Sequence, residues 1–178
     1  MPASIWLQLS GEGERLLRDV IAKLAMRHST MPFQPHLTVC GIPPDDRAVA
    51  DAAAAFVRRS GVLPLRVGRA GISYSPTVPF RAVVIDIENR PELQSFRAEL
   101  RRIAGTPAFE PPHISLLYAI DAAKKIVPWA EDAVRLQEIA ADAARLVPVR
   151  QFTLADTVVV VADGEWANIA SWTVVRRL

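Results

Sequence analysis

The chain has 178 residues, 51% of them apolar and 22% charged, a balance that supports a packed core and excludes an intrinsically disordered chain. The formal net charge of +2 is too small for a protein that coats nucleic acid by bulk charge. A single cysteine, Cys40, excludes an internal disulfide and a multi-cysteine zinc site. No apolar run is long enough for a membrane helix, and the first residues lack the pattern of a signal peptide. We therefore expect a cytoplasmic protein that does not associate with membranes.

The first part of the chain alternates short apolar strands with amphipathic helices. Apolar residues recur at helical spacing from Leu16 to Leu24, which predicts one buried helix face. Pro43 and Pro44 then precede a second helical pattern. The predicted elements are a strand over residues 5–9, a helix over 14–27, a strand over 37–42, a helix over 46–60 and a strand over 63–74.

The second part continues with two further helical stretches between strands. Pro91 occupies the favoured first position of a helix, and Pro128 should break a long helical region into two pieces. Asp163 and Gly164 indicate the turn of a final hairpin. The predicted elements are a strand over residues 80–87, a helix over 91–104, a strand over 113–118, helical structure over 121–146 and strands over 149–162 and 167–176.

Several of these strands follow each other with only a turn between them. Such connections exclude a purely parallel sheet and favour an α+β fold with antiparallel or mixed sheets. The sequence contains no low-complexity segment or linker, so we predict a single domain over residues 1–178.

One short segment occurs twice. The first copy, FQPHLTV, places His36 two residues before Thr38, and the second, FEPPHISL, places His113 two residues before Ser115. Both copies read aromatic residue, proline-containing approach, histidine, apolar residue, hydroxyl residue, and the histidines are 113 − 36 = 77 residues apart. Each copy follows a predicted helix and opens a predicted strand. The repeat therefore indicates an internal duplication with one His-x-Thr/Ser motif in each half.

Strand geometry gives the repeat a chemical meaning. Side chains alternate along a strand, so His36 and Thr38 share one face, as do His113 and Ser115. Two such strands facing each other across a groove would place two imidazoles and two hydroxyls around one substrate. One neutral imidazole can accept a proton from water while the other, protonated, donates to a leaving alkoxide. The hydroxyls can donate to phosphate oxygens, and this set requires no metal.

With these two motifs the chain resembles the 2H phosphoesterase superfamily. Ser4-Ile5-Trp6-Leu7 and the run from His113 to Tyr118 are similar to the plant and yeast cyclic phosphodiesterase branch. The resemblance implies two pseudo-symmetric lobes around a central cleft, each a sheet with helices on its outer face. It also implies hydrolysis of ADP-ribose 1″,2″-cyclic phosphate, or opening of nucleoside 2′,3′-cyclic phosphates to 2′-phosphates, by a monomer without a cofactor.

The resemblance assigns roles to individual residues. His36 and His113 would be the acid–base pair, and Thr38 and Ser115 the phosphate donors. Three aromatic residues would bind the substrate: Tyr118, Phe80 and Trp6. Strand alternation, however, puts Tyr118 on the face opposite His113 unless the strand twists or bulges.

Two alternatives stay open. The bacterial branch of the same superfamily opens RNA 2′,3′-cyclic ends and resembles 2′-5′ RNA ligases, so RNA ends are a second candidate partner. A binding module that holds cyclic nucleotides or RNA ends without turnover is the other alternative. Two complete motifs favour an enzyme over the binding module, because binding alone does not need a matched acid and base.

Overall fold

The computed structural model describes most of the chain. The described residues are 3–42, 46–61, 63–77, 81–106, 111–123, 125–162 and 173–177. The strands among them are β1 Ala3–Leu9, β2 His36–Ile42, β3 Pro64–Tyr74, β4 Val83–Ile87, β5 His113–Leu117, β6 Gln151–Ala162 and β7 Thr173–Arg177. The helices are α1 Gly11–His28, α2 Arg47–Ser60, α3 Pro91–Ala104 and α4 Ala133–Leu146.

All strand pairs among the described residues are antiparallel, so this part of the chain contains no parallel sheet, and the predicted α+β class is confirmed. The strand order is β1-β2-β5-β4-β3-β6-β7, and β1 also pairs with β6. Six strands therefore close into a barrel. The seventh strand, β7, pairs antiparallel with β6 and is not part of this ring. Closure satisfies the backbone groups that an open sheet would leave at its edges.

The helices form where apolar residues recur with a period near 3.6. In α1, for example, Leu17, Val20, Ile21 and Leu24 are all buried. The Asp46 and Asp132 side chains cap α2 and α4 by accepting backbone N–H groups at 3.0 Å.

Each motif strand is backed by a helix from the other half of the chain. Helix α3 packs against β2, and α1 packs against β5. The apolar residue between histidine and hydroxyl in each motif, Leu37 or Ile114, is fully buried. The motif side chains therefore lie on the opposite strand face from this apolar layer.

One predicted helical segment is a turn. The described residues of this segment, 121–123 and 125–127, are not helical; Ile120 and Ile126 form a bridge, and α4 begins only at Ala133. The Asp121 carboxylate accepts the backbone N–H of Lys125 at 2.9 Å, an alternative to helical hydrogen bonding that aspartate readily supplies. Pro128 therefore does not divide a helix in two, because turn structure continues from it to residue 131.

Two predictions fall outside the described residues. The Asp163-Gly164 turn and Phe80 both lie there. Described parts of the predicted strands over residues 80–87 and 167–176 appear as β4 and β7.

Candidate active site

The two motif strands are direct neighbours. β2 and β5 pair antiparallel with Leu37 opposite Ile114. Because these two residues are opposite each other, the same register places His36 across from Ser115 and Thr38 across from His113. Side chains opposite each other on adjacent strands are separated by about 5 Å at Cβ. All four motif side chains therefore stand together on one face, although in one sheet and not across a groove between two sheets.

The strand β2 contains a β-bulge immediately after its motif hydroxyl. Thr38 and Cys40 pair with two consecutive residues of β1, so Val39 is an extra residue without its own partner. β-Bulges re-aim side chains and are common beside active sites.

An equivalent bulge follows the hydroxyl of the second motif. Ser115 and Leu117 pair with consecutive residues of β4, so Leu116 is the extra residue. The insertion reverses the alternation of side chains beyond it, which brings Tyr118 onto the same face as Ser115. This bulge resolves the conflict between strand alternation and the predicted place of Tyr118 in the site.

His36 is enclosed by aromatic rings. Its imidazole is stacked on Trp6, with ring centroids 3.6 Å apart and planes 6° apart. Phe33 meets it edge-on at 6.3 Å, and the Tyr118 hydroxyl lies 3.5 Å from Nε2. The residue is only 4% exposed. His36 therefore occupies an apolar setting in which a charged imidazole is disfavoured.

The electrostatics of His36 follow from this enclosure. Its pKa is lowered to about 4, mainly by burial; the hydrogen bond to the Gln34 carbonyl opposes this shift, and a nearby charge on His113 adds to it. The imidazole is therefore neutral at pH 7.

His113 occupies a more open and more charged setting. It is half-buried, and burial is the main cause that lowers its pKa. Positive charges on Arg81 and Arg97 lower the pKa further, whereas the carboxylate of Asp86 raises it. Asp86 is the direct partner of His113 in the β4–β5 register. His113 thus has charged neighbours of both signs, whereas the neighbours of His36 are aromatic rings.

Both histidines are held in the same tautomer. The His36 Nδ1 lies 2.7 Å from the Gln34 carbonyl, and the His113 Nδ1 lies 2.8 Å from the Pro111 carbonyl. A carbonyl oxygen only accepts hydrogen bonds, so Nδ1 must carry the hydrogen in both rings. This arrangement leaves Nε2 of each histidine as the atom that gains and loses a proton.

Tyr118 and Trp6 are both in the site but already have aromatic partners. The Tyr118 ring is stacked on Phe33 with centroids 3.8 Å apart, and it is 2% exposed. Burial raises the pKa of its phenol and a hydrogen bond with Ser115 opposes this, so it stays protonated near neutral pH. One ring face of Trp6 is covered by His36.

Sequence reasoning did not identify four residues around the site. Phe33 is the aromatic residue that opens the first copy of the repeat, and its position there was a usable signal. Asp86 is the one charged residue in the otherwise apolar strand β4, and that isolation was a usable signal. Arg81 and Arg97 carry no sequence signal, because the fold alone brings them near His113.

The described part of the chain contains no group of three or more His, Cys, Asp or Glu side chains placed to hold a metal ion. Within the same residues, no helix has the length and apolar character needed to cross a membrane.

The buried histidine predicts that the protein loses stability in acid. In the unfolded chain the His36 imidazole takes up a proton near pH 6.5, whereas in the folded protein it does so only near pH 4. The free energy of unfolding therefore falls as the pH drops through this window, by about 3 kcal/mol from His36 alone. Urea unfolding at pH 7 and at about pH 4 should show a smaller fall in His36→Asn than in the unmodified protein. Equal falls in both proteins would contradict the burial of a neutral His36.

Comparisons with known proteins give a fold likeness only. No family model matches the chain, and no curated protein matches it. Among solved structures, the chain is similar to Usb1 from Kluyveromyces marxianus, at 10% sequence identity and a TM-score of 0.44. The match covers 89% of this chain and 92% of the Usb1 chain. A likeness of this degree says nothing about the activity of the present protein.

Proposed function

We propose that the protein hydrolyses a cyclic phosphodiester without a metal, using His36 and His113 as base and acid. The observation that carries this proposal is the placement of both motifs on one face of adjacent strands, each with Nε2 as its titrating nitrogen. Two imidazoles and two hydroxyls are the groups that such a displacement requires.

The surroundings of the two histidines support different roles. His36 is neutral at pH 7 and so suits the general base, which takes a proton from the attacking water at Nε2. His113 is more exposed and has Asp86 beside it. The negative charges of Asp86 and of a bound phosphodiester both favour its protonated form, against the burial that lowers its pKa. His113 therefore suits the general acid.

The proposed step is an in-line displacement at phosphorus. The water oxygen bonds to phosphorus while His36 takes the water proton, the ring P–O bond breaks, and His113 protonates the departing ribose oxygen. Thr38 and Ser115 donate hydrogen bonds to the non-bridging oxygens, where negative charge increases. The product is a phosphomonoester, such as ADP-ribose 1″-phosphate or a nucleoside 2′-phosphate.

RNA 2′,3′-cyclic ends are the second candidate substrate. One observation favours them: two arginines, Arg81 and Arg97, bring positive charge close to His113. Positive charge at the site favours a substrate that carries further phosphates, as an RNA strand does.

The two-lobed arrangement is part of the same proposal. Each half of the chain runs strand, helix, strand, helix, strand, as β1-α1-β2-α2-β3 and β4-α3-β5-α4-β6. This order supports two related lobes that meet where β2 pairs with β5. One chain supplies both motifs, so the proposed site needs no second subunit.

One assay tests the proposal. The purified protein, with EDTA present, is incubated separately with ADP-ribose 1″,2″-cyclic phosphate, a nucleoside 2′,3′-cyclic phosphate and a short RNA with a 2′,3′-cyclic end. Phosphorus NMR should show conversion of a cyclic diester to a monoester. Conversion of the RNA alone would establish the second candidate, and conversion of none would refute the proposed enzyme.

A further inference from the structure

Each motif histidine lies opposite a residue of the neighbouring strand, at an equivalent place in the two halves of the chain. On β1, Gln8 lies opposite His36, and on β4, Asp86 lies opposite His113. Residues opposite each other on antiparallel strands point to the same side of the sheet, so each partner stands beside its histidine in the site. A neutral amide therefore accompanies one imidazole, and a carboxylate accompanies the other.

The correspondence extends further along both strand pairs. Two residues before these partners, Trp6 lies opposite Thr38 and Val84 lies opposite Ser115. In both halves the register then shifts, at the two bulges described above. The indole covers one face of the first imidazole, whereas a valine has no ring to stack on the second. The two motifs thus share one local geometry, and the main difference lies in the side chains opposite them.

The type of strand pair brings the Asp86 carboxylate close to His113. The Ile87 N–H donates to the Pro112 carbonyl at 3.1 Å. This hydrogen bond lies one residue after Asp86 and one residue before His113, so these two residues form a non-hydrogen-bonded pair of the ladder. In such pairs the opposing side chains come closest, with Cβ atoms about 4.5–5.5 Å apart.

The charges around His113 make Asp86 the side chain that favours its protonated form. Burial opposes a proton on this imidazole most strongly, and Arg81 and Arg97 oppose it as well. In the part of the chain that the structure describes, Asp86 is the carboxylate that acts in the other direction. The backbone carbonyl on Nδ1 also favours the proton, but both histidines have one, so it does not distinguish them.

The surroundings of His36 lack this bias towards the proton. The Gln8 amide opposite it carries no charge and donates to the Gln34 side chain at 3.1 Å. The Tyr118 hydroxyl near Nε2 is also uncharged. A charge on His113 opposes a proton on His36. The first proton taken up by the pair therefore goes to His113.

We propose that the residue opposite each histidine, Asp86 or Gln8, decides which of the two enters the reaction as the acid. The Asp86 carboxylate stabilises the proton on His113, and the uncharged Gln8 lets His36 stay neutral. Asp86 is thus a positioning residue that acts through His113. This inference rests on the proposed function, because two motifs of the same make-up can take opposite roles only through a difference outside the motifs.

The experiment uses two nearly isosteric substitutions that each change one charge. Asp86→Asn removes the carboxylate opposite His113, and Gln8→Glu introduces one opposite His36. In a histidine titration followed by NMR, without substrate, Asp86→Asn should lower the His113 pKa by about 1. Gln8→Glu should raise the His36 pKa by about the same amount.

The pH dependence of kcat/KM gives a second readout. Its alkaline limb reports the loss of the proton from the acid of the unliganded protein. Asp86→Asn should move this limb down by about one pH unit, which lowers kcat/KM about tenfold at pH values above the limb. Asp86→Glu retains the charge and should restore the limb to within about 0.3 pH units. A merely structural role of Asp86 would lower the rate without moving the limb.

Two matched controls carry the same chemical changes at exposed places. Asp19→Asn on α1 and Gln137→Glu on α4 should leave both histidine pKa values and both limbs of the profile unchanged. A shift as large in a control as in the corresponding site variant would overturn the proposal, because net charge and not the paired position would then be responsible.

The two site variants also decide the proposal directly. An unchanged His113 pKa in Asp86→Asn, or an unchanged His36 pKa in Gln8→Glu, would overturn it. If the unmodified protein opened no cyclic phosphate, the proposed function would fail, and the titration would still decide whether Asp86 holds the proton on His113.

Discussion

Replacing either motif histidine by asparagine should lower kcat by at least about a hundredfold, the usual contribution of a positioned acid or base. Asparagine is chosen because its amide can still donate to the carbonyl that each Nδ1 contacts, at Gln34 or Pro111. What it cannot do is exchange a proton at the position of Nε2. The loss should therefore appear in kcat, with little change in KM.

The third histidine provides the matched control. His28 lies at the end of α1, next to Trp129, and its sequence neighbours belong to neither motif. His28→Gln should retain kcat within about twofold, as expected for a residue outside the reaction. The experiment measures the rate of each variant on a cyclic phosphate and its melting temperature, which checks that the variant folds. A motif variant with near-normal kcat would contradict its assignment as acid or base.

A substrate with a better leaving group should separate the two histidines. In a cyclic phosphorothiolate the departing ribose oxygen is replaced by sulfur, and a thiol has a pKa of about 8.5, far below that of an alcohol. Such a group departs without protonation, so the general acid becomes dispensable. We expect His113→Asn to retain activity on this analogue within about tenfold of the unmodified protein, while His36→Asn stays at least about a hundredfold lower.

The comparison with the ordinary oxygen substrate serves as the internal control. There both variants should be defective to a similar degree, so the rescue of His113→Asn is specific to the leaving group. If His36→Asn were rescued instead, His36 would be the general acid and His113 the general base. Equal loss on both substrates in both variants would mean that neither histidine protonates the leaving group.

Local sequence patterns were enough to predict most of the elements. The helical spacing of α1 reflects burial of one helix face, and the run of β-branched residues in β4 reflects burial of both strand faces. The prediction of helical structure was wrong for the segment from Asp121 to Pro128. There a carboxylate competes for a backbone N–H that a helix would have used, and periodicity does not report that competition.

The sequence by itself determined the candidate reacting groups: two histidines, each with a hydroxyl two residues later, repeated after 77 residues. It could do so because a strand has a fixed period of two, so the spacing sets the face that the side chains share. Only the tertiary structure decided how the copies meet and how they differ. The pairing of β2 with β5, the bulges after Thr38 and Ser115, and the aromatic rings around His36 all depend on contacts between distant segments. Such contacts leave no local pattern, which is why two motifs alike in sequence have histidines in such different surroundings.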